Sequence, residues 1–439
     1  MAIEKFDVVV SGGGLSGLLT AIGLLRETPD LSIAIVEPVK QTNLSQPQVN
    51  FDGRCLALSY GSIQLLNHWG AWQELKQLAW PIKTIVTSDR GHAGKTIMKA
   101  DDYELNAMGY VVEMRNLGMV LQNTLSHLEQ EREKAQESGI NITWFNPDTI
   151  ESIEQERDKT YIALSSGKEL CATLLIVAEG GASPTREKLG IECSVSSYPQ
   201  SALIANVRTK GGEAKLNKLL ARADQKYVDK VCHHVAFERF TTTGPVAFLP
   251  IGKQEYSLVW TETPERIESL LNLSNEALIQ ELQSSFGFAA GQVTSMSKPE
   301  VYPLSLIKAQ QLFVGRSVLI GNSAHTVHPI AGQGFNLGLR DIAVLVNEIK
   351  QAHESNADIG DFSTLMAYSN NRVGDINRIT GFTDILVRGF ALEGRAPAAV
   401  RTLGLMALQK CDNLQQWLAL HFMSRGSLKN IPQLKQMES

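Results

Sequence analysis

The chain has 439 residues, 43% of them hydrophobic and 20% charged, with a formal net charge of −5 at pH 7. A chain of this length is too long to fold around a single hydrophobic core of ordinary size, so two or more domains are expected. The acidic balance, without a basic stripe interleaved with aromatic residues, argues against nucleic acid as a partner.

The cysteines and the lack of long apolar segments indicate the compartment. The five cysteines are scattered, with no C-x-x-C pair, which argues against a disulfide framework or a zinc site and favours a reducing environment. No apolar run reaches the length of a transmembrane helix. We therefore expect a cytoplasmic protein, with a peripheral position at the inner membrane as the alternative.

A glycine motif follows the first predicted strand. Phe6–Val10 has the pattern of a buried strand and leads into the sequence GGGLSG, after which an amphipathic helix is predicted. In this setting Gly12 permits the tight turn, Gly14 lets a pyrophosphate approach the backbone, and Gly17 lets helix and strand pack closely. A second predicted strand ends at Glu37, where a carboxylate suits the ribose hydroxyls of an adenosine. The set predicts a dinucleotide-binding unit.

Arg54 is a further candidate in the N-terminal part of the chain. It follows Asp52-Gly53 and precedes a segment that we predict to be helical from Leu56 onward. Its guanidinium could meet a pyrophosphate or the edge of a flavin. A surface arginine in a polar loop is the alternative, and these residues taken alone favour it.

The periodicity changes to two between about residues 201 and 262, which predicts an inserted antiparallel sheet. Two earlier strands, Ile82–Ser88 and Lys95–Lys99, precede it. After Asp341 the pattern is helical to the end of the chain, and we favour a helical cap on the core over a membrane anchor for this tail. The predicted strands of the insert are Leu203–Val207, Val235–Phe240, Val246–Pro250 and Tyr256–Trp260.

The segment Val318–Asp341 joins a short predicted strand to a long predicted helix. The strand stops at Gly321, and the helical pattern begins at Phe335. Gly332 and Gly334 lie between them, where they let a flat ligand touch the backbone at a helix N-terminus that favours negative charge. A tight turn with a packed histidine is the alternative.

Together these segments resemble a known enzyme family. The stretches GGGLSG with Glu37, DGRCLAL, AEGGASPTR and GNSAHTVHPIAGQGFNLGLRD occur in the order found in class A flavoprotein aromatic hydroxylases, and the chain most resembles their ubiquinone-biosynthesis branch. The resemblance implies an α/β fold in which a Rossmann-like FAD-binding domain of the para-hydroxybenzoate hydroxylase type carries an inserted antiparallel-sheet substrate domain and a helical C-terminal tail. The implied boundaries are 1–80, 107–190 and 310–375 for the FAD-binding domain, 81–106 and 191–309 for the substrate domain, and 376–439 for the C-terminal helices.

The resemblance also implies the chemistry. FAD is the expected cofactor, NAD(P)H the electron donor and O2 the co-substrate, and a C4a-hydroperoxyflavin hydroxylates the ring of a polyprenylated methoxyphenol in ubiquinone biosynthesis. Other ubiquinone-biosynthesis proteins are candidate partners beside this prenylated phenol, and no oligomeric state is predicted. The expected flavin-side residues are Pro329, Gly332 and Asn336, and the expected FAD contacts are Gly12, Gly14, Gly17, Glu37, Arg54, Gly321, Asn322, Gly332, Gly334, Phe335 and Asn336.

Such an oxygen transfer needs a pocket that excludes water. We expect the second sheet to lie over the flavin and to be packed there with four aromatic side chains. They are Phe237, Phe240, Phe248 and Trp260.

Two positions depart from the family pattern. Asn322 stands where the family usually has an aspartate, and Glu179-Gly180 stands where it has Asp-Gly. A neutral amide accepts a hydrogen bond more weakly than a carboxylate. We interpret both as tolerated variation. The alternatives are a reductase or dehydrogenase of a prenyl or quinone substrate without oxygen insertion, and a non-catalytic flavoprotein subunit.

The histidines give weaker signals. His325 and His328 have H-x-x-H spacing, but no neighbouring carboxylate completes a metal set, so no metal is expected. His92 and the pair His233–His234 fall in the predicted substrate domain and could deprotonate a phenol, with His92 as the candidate base. Surface or packed histidines are the more frequent alternative.

Overall fold

The computed structural model of the protein describes residues 3–40, 54–92, 94–134, 142–212, 233–328, 332–392 and 394–411. The helices are α1 (Leu15–Glu27), α2 (Tyr60–His68), α3 (Trp72–Leu75), α4 (Met114–Lys134), α5 (Pro184–Lys188), α6 (Pro264–Leu271), α7 (Asn275–Phe286), α8 (Gln333–Glu354), α9 (Phe362–Ala391) and α10 (Arg395–Lys410). The strands are β1 (Glu4–Ser11), β2 (Ile33–Val36), β3 (Cys55–Ser59), β4 (Trp80–Ile82), β5 (Thr84–Asp89), β6 (Lys95–Lys99), β7 (Gly109–Glu113), β8 (Thr143–Phe145), β9 (Ile150–Gln155), β10 (Thr160–Leu164), β11 (Glu169–Val177), β12 (Cys193–Lys210), β13 (Val235–Thr241), β14 (Gly244–Gly252), β15 (Glu255–Glu262), β16 (Gln292–Met296), β17 (Glu300–Ala309), β18 (Phe313–Val314), β19 (Ser317–Leu319) and β20 (His325–Thr326).

The first sheet carries the predicted dinucleotide motif. Its order is β18-β19-β11-β1-β2-β8, and the strands from β19 to β8 run parallel. Strands β9 and β10 extend it antiparallel from β11. Val8–Val10 and Ile33–Ile35 are fully buried, as is typical of a parallel sheet covered on both faces. Because β1 and β19 are parallel, the loops after Ser11 and after Leu319 leave the same edge of the sheet.

The second sheet has the order β20-β17-β12-β15-β14-β13-β5-β6, with β16 also paired to β12. All neighbours are antiparallel except β13 and β5, which are parallel. The 18-residue strand β12 pairs with β15, β16 and β17. Strands β16 and β17 were not predicted from the sequence, because few of their positions are buried and the alternation is weak. Helices α6 and α7 pack on the side of this sheet that holds Phe248 and Trp260.

A third sheet, β3-β7-β4, corrects two predictions. The helix predicted from Leu56 is wrong: Cys55–Ser59 is a strand paired with β7, and the helix begins at Tyr60 with the Ser59 hydroxyl accepting from Ser62 N. The single strand predicted over Ile82–Ser88 is divided, since β4 pairs with β7 and β5 with β13. In both cases pairing to distant strands decides the local structure.

The C-terminal part is helical through α8, α9 and α10, as predicted for the residues that the structure describes. The predicted α/β fold with a second, mainly antiparallel sheet is confirmed, while the domain boundaries stay predictions. Within the described ranges, the helices lack the combination of length and apolarity that a bilayer crossing requires.

Candidate active site

The two glycine segments open onto one cavity of about 1270 Å³. The cavity begins at the edge where β1 and β19 end and extends beneath one face of the second sheet. Pro329 lies outside the described residues, and Gly17 does not line the cavity. The other predicted FAD contacts all line it: Gly12, Gly14, Glu37, Arg54, Gly321, Asn322, Gly332, Gly334, Phe335 and Asn336.

The first loop shows why glycine stands at each position of the motif. Gly12 has φ +107°, and a Cβ there would lie 2.8 Å from the carbonyl oxygen of Ala178. A Cβ on Gly17 would lie 1.9 Å from the Gly12 oxygen, so helix and turn touch through this residue. A Cβ on Gly14 would meet nothing within 4 Å, which leaves open space above the loop. The loop is therefore packed from behind and open toward the cavity.

Glu37 is fixed at the end of β2. Its Oε2 accepts from the Gly13 amide at 2.6 Å, and its Oε1 accepts from the Val39 amide at 3.0 Å. The side chain is only 5% exposed and lines the cavity. The glycine loop thus orients the carboxylate that the sequence predicts for ribose recognition.

The turn after β19 approaches the same edge. Gly321 has φ +56°, and its amide donates to Asp341 Oδ2 at 3.0 Å. The next residue, Asn322, has an exposed side chain at the cavity wall. The Asp341 carboxylate therefore holds the turn that presents Asn322.

Asn336 fastens the start of α8 to the third sheet. Its Nδ2 donates to the carbonyl oxygens of Gly332 at 2.7 Å and Ala57 at 2.8 Å. Its Oδ1 accepts from the Ser59 amide at 2.9 Å and the Ser62 hydroxyl at 2.7 Å. With four partners in the protein and 1% exposure, this side chain positions the helix N-terminus.

Glu179 is likewise engaged by the protein. It accepts from the Ser11 hydroxyl at 2.5 Å, the Ser183 hydroxyl at 2.8 Å and the Thr185 amide at 3.0 Å. The hydroxyl of Thr185 also donates a hydrogen bond to the Glu179 carboxylate, in addition to the bond from its amide. The longer glutamate therefore serves to tie β1 to the start of α5 at the cavity wall.

A buried ion-pair network behind this edge was not predicted from the sequence. Asp341 accepts from His325 Nε2 at 2.6 Å and Arg372 Nε at 2.7 Å, and Asp375 accepts from Arg372 at 2.7 Å and Arg340 at 2.8 Å. Burial alone would raise the pKa of Asp375, but Arg340 and Arg372 outweigh it and lower this pKa to about 2. The network joins α8, α9 and the turn after β19. Only contacts between residues distant in sequence reveal it.

The H-x-x-H pair separates into two unlike histidines. His325 belongs to the ion-pair network, whereas neither ring nitrogen of His328 has a hydrogen-bond partner in the described structure. The His328 ring packs edge-on against Tyr198, with centroids 5.4 Å apart, and burial lowers its pKa to about 4. Within the described ranges, no three His, Cys, Asp or Glu side chains are grouped to hold a metal ion.

The histidines of the predicted substrate domain are outside the cavity lining. His92 is exposed in the turn between β5 and β6, and His234 stacks on Trp80 with ring centroids 5.2 Å apart. Neither is among the described residues that line the cavity. The structure gives no support to His92 as a base, because the turn carries it to the surface.

Arg54 lies at the cavity wall, with its guanidinium over the ring of Tyr302 at 4.5 Å from the centroid. The arginine is therefore part of the site and not a surface residue in a polar loop. The contact with the Tyr302 ring restricts the orientation of the Arg54 guanidinium.

The expectation for the aromatic residues of the second sheet holds for Phe240 among the four, because its side chain faces the cavity. Phe237 lies opposite Phe248 in the strand register, and its ring packs edge-on against Phe286 with centroids 6.0 Å apart, on the face turned away from the cavity. Phe248 and Trp260 are fully buried on that same far face, where Phe248 stacks on Phe286 at 3.8 Å. Successive strand residues point to opposite faces, so the large residues of β14 and β15 form a separate core with α6 and α7.

The C-terminal helices complete the cavity wall. Leu386 and Phe390 of α9 and Leu405 of α10 line it, and Phe390 stacks on Phe240 with centroids 3.9 Å apart. Arg401 pairs with Asp89 at 3.1 Å and fixes α10 to the edge of the second sheet. The sequence predicted a helical cap, but its contribution to the site depends on this tertiary contact.

Comparison with known proteins gives a consistent result. A family model described as "FAD binding domain" matches residues 5–381. The chain is 30% identical to ubiquinone hydroxylase UbiL of Rhodospirillum rubrum, over 97% of this chain and 91% of that protein. It is 27% identical to 3-demethoxyubiquinol 3-hydroxylase of Escherichia coli, over 95% of this chain and 98% of that protein. The crystal structure of p-nitrophenol 4-monooxygenase PnpA from Pseudomonas putida matches with a TM-score of 0.70 at 18% identity, covering 96% and 98% of the two chains, which establishes the fold alone.

Proposed function

The chain belongs to the FAD-binding-domain family of FAD-dependent aromatic hydroxylases, and we propose that it hydroxylates the ring of a polyprenylated methoxyphenol in ubiquinone biosynthesis. Enzymes of this family are monooxygenases that typically take electrons from NAD(P)H and use O2. Two relatives that align along nearly the whole chain carry the names of ubiquinone-type hydroxylases. Their names support a substrate of the same class here.

One observation carries the proposal: the two glycine segments and the second sheet share a single cavity. A dinucleotide held at the sheet edge and a ring held beneath the second sheet would then meet without crossing solvent. The part beneath the sheet is lined mainly by small and apolar side chains, as an alkylated phenol requires. They include Ile85, Met98, Ala202, Ile204, Leu249, Val259 and Leu304.

The residues present fit FAD. The open space above Gly14 and the orientation of Glu37 suit a pyrophosphate and a ribose. At the other end, Gly332 is the N-cap residue of the 22-residue helix α8, whose N-terminus favours negative charge on a ligand. The residues proposed to hold FAD are Gly12, Gly14, Glu37, Arg54, Gly321, Asn322, Gly332, Gly334, Phe335 and Asn336, with Gly17 packing behind them.

The chemistry is divided between cofactor and protein. When bound, FAD would supply acceptance of a hydride from NAD(P)H and transfer of one oxygen atom of O2 to the ring, with the other atom leaving as water. The protein excludes water with an apolar wall and orients both ligands. The flavin–oxygen adduct predicted from the sequence stays a prediction, as does the flavin-side role of Pro329.

The proposal is tested with purified, FAD-loaded protein. A polyprenylated methoxyphenol should stimulate NAD(P)H oxidation and give a hydroxylated product, measured by liquid chromatography and mass spectrometry. The same methoxyphenol without its prenyl chain is the control and should give less of both. NAD(P)H oxidation without hydroxylated product, for every prenyl length tested, would reject the proposal.

We also propose that α9 and α10 rest on an anionic lipid bilayer. Ile385, Leu392, Val400 and Leu403 are 58–70% exposed, although the same helices line the cavity through Leu386, Phe390 and Leu405. We call the four exposed residues the apolar strip. α10 has no acidic residue, and although its Arg401 pairs with Asp89, the helix keeps a net positive charge that would complement anionic headgroups. Because α9 and α10 contribute to both the strip and the cavity wall, a prenyl tail would remain in lipid while its ring enters the site.

A further inference from the structure

One face of the second sheet forms the roof of the cavity. Because side chains alternate along each strand, every second residue of β5, β6 and β12–β15 faces the cavity. Most of these residues are small or apolar, and a few carry hydroxyl groups. The described residues of this face are Ile85, Thr87, Thr96, Met98, Ala202, Ile204, Ala236, Glu238, Phe240, Ala247, Leu249, Ser257 and Val259.

Glu238 is the carboxylate that this face contributes among the described cavity-lining residues. It lies in the middle of β13, opposite Ala247 of β14 and Thr87 of β5. Its neighbours on the same face of β13 are Ala236 and Phe240. The side chain is half-buried and lines the cavity, so a ligand there can reach it, in a wall that is mostly apolar with a few hydroxyl groups.

The other cavity-lining carboxylates lie on the first sheet or its loops, at the dinucleotide end. Glu37, Asp148 and Glu179 accept hydrogen bonds from neighbouring backbone and hydroxyl groups and fix loops there. The fourth, Glu151, is exposed at the start of β9. Glu238 thus lies on a different sheet from these four carboxylates. It is in the part of the cavity that is proposed to hold the ring.

We infer that Glu238 accepts the proton of the substrate's ring hydroxyl, an inference that rests on the proposed function. The phenol O–H bond breaks, the proton forms an O–H bond on the carboxylate, and the electron pair stays on the phenolate oxygen. No oxidant or reductant takes part in this step. Delocalisation of that pair makes the ring carbons ortho and para to the oxygen nucleophilic, which is what electrophilic oxygen transfer requires. A positioned base of this kind contributes about 10²–10⁴-fold to a rate.

The test uses Glu238→Gln in the FAD-loaded protein. Glu255→Gln is the matched control, because Glu255 lies on the same face of β15, outside the cavity lining, and pairs with exposed Arg208. The probe is a geranyl-substituted nitrophenol, whose absorbance distinguishes phenol from phenolate, at a pH where the free compound is mostly protonated. The unmutated protein and Glu255→Gln should bind it as phenolate. Glu238→Gln should retain FAD, lose the phenolate band and hydroxylate a prenylated phenol about 100-fold more slowly.

Two outcomes would overturn the inference: no phenolate band in the unmutated protein, or an unchanged band and rate in Glu238→Gln. If Glu238→Gln does not fold, Glu238→Asp is the variant to test. Its shorter carboxylate should keep the band and slow hydroxylation, and a normal rate without the band would contradict the inference. If the unmutated protein binds the phenolate and Glu238→Gln does not, but no prenylated phenol is hydroxylated, the proposed function fails while the role of Glu238 as proton acceptor is supported.

Discussion

Gly14 and Gly17 belong to one motif, yet their surroundings give them opposite tolerances to a side chain. A Cβ on Gly14 meets nothing within 4 Å, whereas one on Gly17 lies 1.9 Å from the Gly12 oxygen. Gly14→Ala should therefore leave the melting temperature of the FAD-free protein nearly unchanged but weaken FAD binding by about tenfold, or about 1.4 kcal/mol. Gly17→Ala should lower the free energy of unfolding by about 1–3 kcal/mol, the usual range for overpacking.

Thermal melts of the FAD-free variants and fluorescence titration with FAD measure the two effects separately. A Gly14→Ala protein that melts early but binds FAD normally would show that the open space above the loop is not a pyrophosphate site.

His328 makes stability depend on pH. Burial lowers its pKa from 6.5 to about 4, so between these values the unfolded chain binds a proton that the folded chain does not. The free energy of unfolding attributable to this residue therefore falls as the pH drops through that window, by about 2–3 kcal/mol at pH 4.5. His328→Leu should remove this part of the loss between pH 7 and pH 4.5.

Apparent melting temperatures at the two pH values provide the measurement. His92→Leu, which removes an exposed imidazole, is the control and should keep the acid sensitivity of the unmutated protein. Equal acid sensitivity in His328→Leu would mean that the ring is already charged or solvated in the folded state.

Local patterns predicted the elements that surround the glycines but not the long-range contacts of the site. The strand–glycine–helix segments at Gly12 and Gly332 each consist of residues adjacent in sequence, so local patterns are enough to predict them. In contrast, Leu56 and Leu58 fit either a strand or a helix, and pairing with β7 decides for the strand. The sequence does not predict which face of the sheet the side chains of Phe248 and Trp260 occupy, because this depends on the register of their strands with β13 and β12.

The helices α9 and α10 illustrate the same limit. Their helical character follows from apolar spacing, but the stack of Phe390 on Phe240 and the Arg401–Asp89 pair bring together residues far apart in the chain. The ion-pair network around Asp341 and Arg372 likewise required the packing of α8 on α9. Such contacts convert a helical tail into part of the cavity wall.

The apolar strip on α9 and α10 gives a prediction for membrane binding. Val400→Glu with Leu403→Glu should reduce co-flotation with vesicles containing one-third phosphatidylglycerol by about tenfold or more, because two charges must otherwise enter the interface. Activity on a short-chain, water-soluble substrate should stay unchanged, since these side chains point away from the cavity lining.

Glu276→Gln with Glu300→Gln, on the second-sheet side of the molecule, is the surface control for flotation. Flotation of the Val400→Glu, Leu403→Glu protein at the unmutated level would show that the strip does not contact lipid, and would leave residues of this chain or another protein to cover it.

At the scale of the whole molecule, the arrangement follows from the direction of the strands. The parallel strands β1 and β19 deliver both glycine-bearing loops to one edge of the first sheet. The second sheet and the C-terminal helices then enclose the space beyond that edge. The proposed hydroxylation places cofactor and ring at the two ends of one cavity whose lining is largely apolar.

Single turnover under isotopically labelled O2 tests this account most directly. FAD-loaded protein is reduced with one equivalent of NAD(P)H in the presence of a polyprenylated methoxyphenol, and labelled O2 is then admitted. The account predicts one labelled oxygen atom in the ring of the product, detected by mass spectrometry. A reduced or unchanged product without labelled oxygen, with the reduced flavin simply reoxidised, would contradict it.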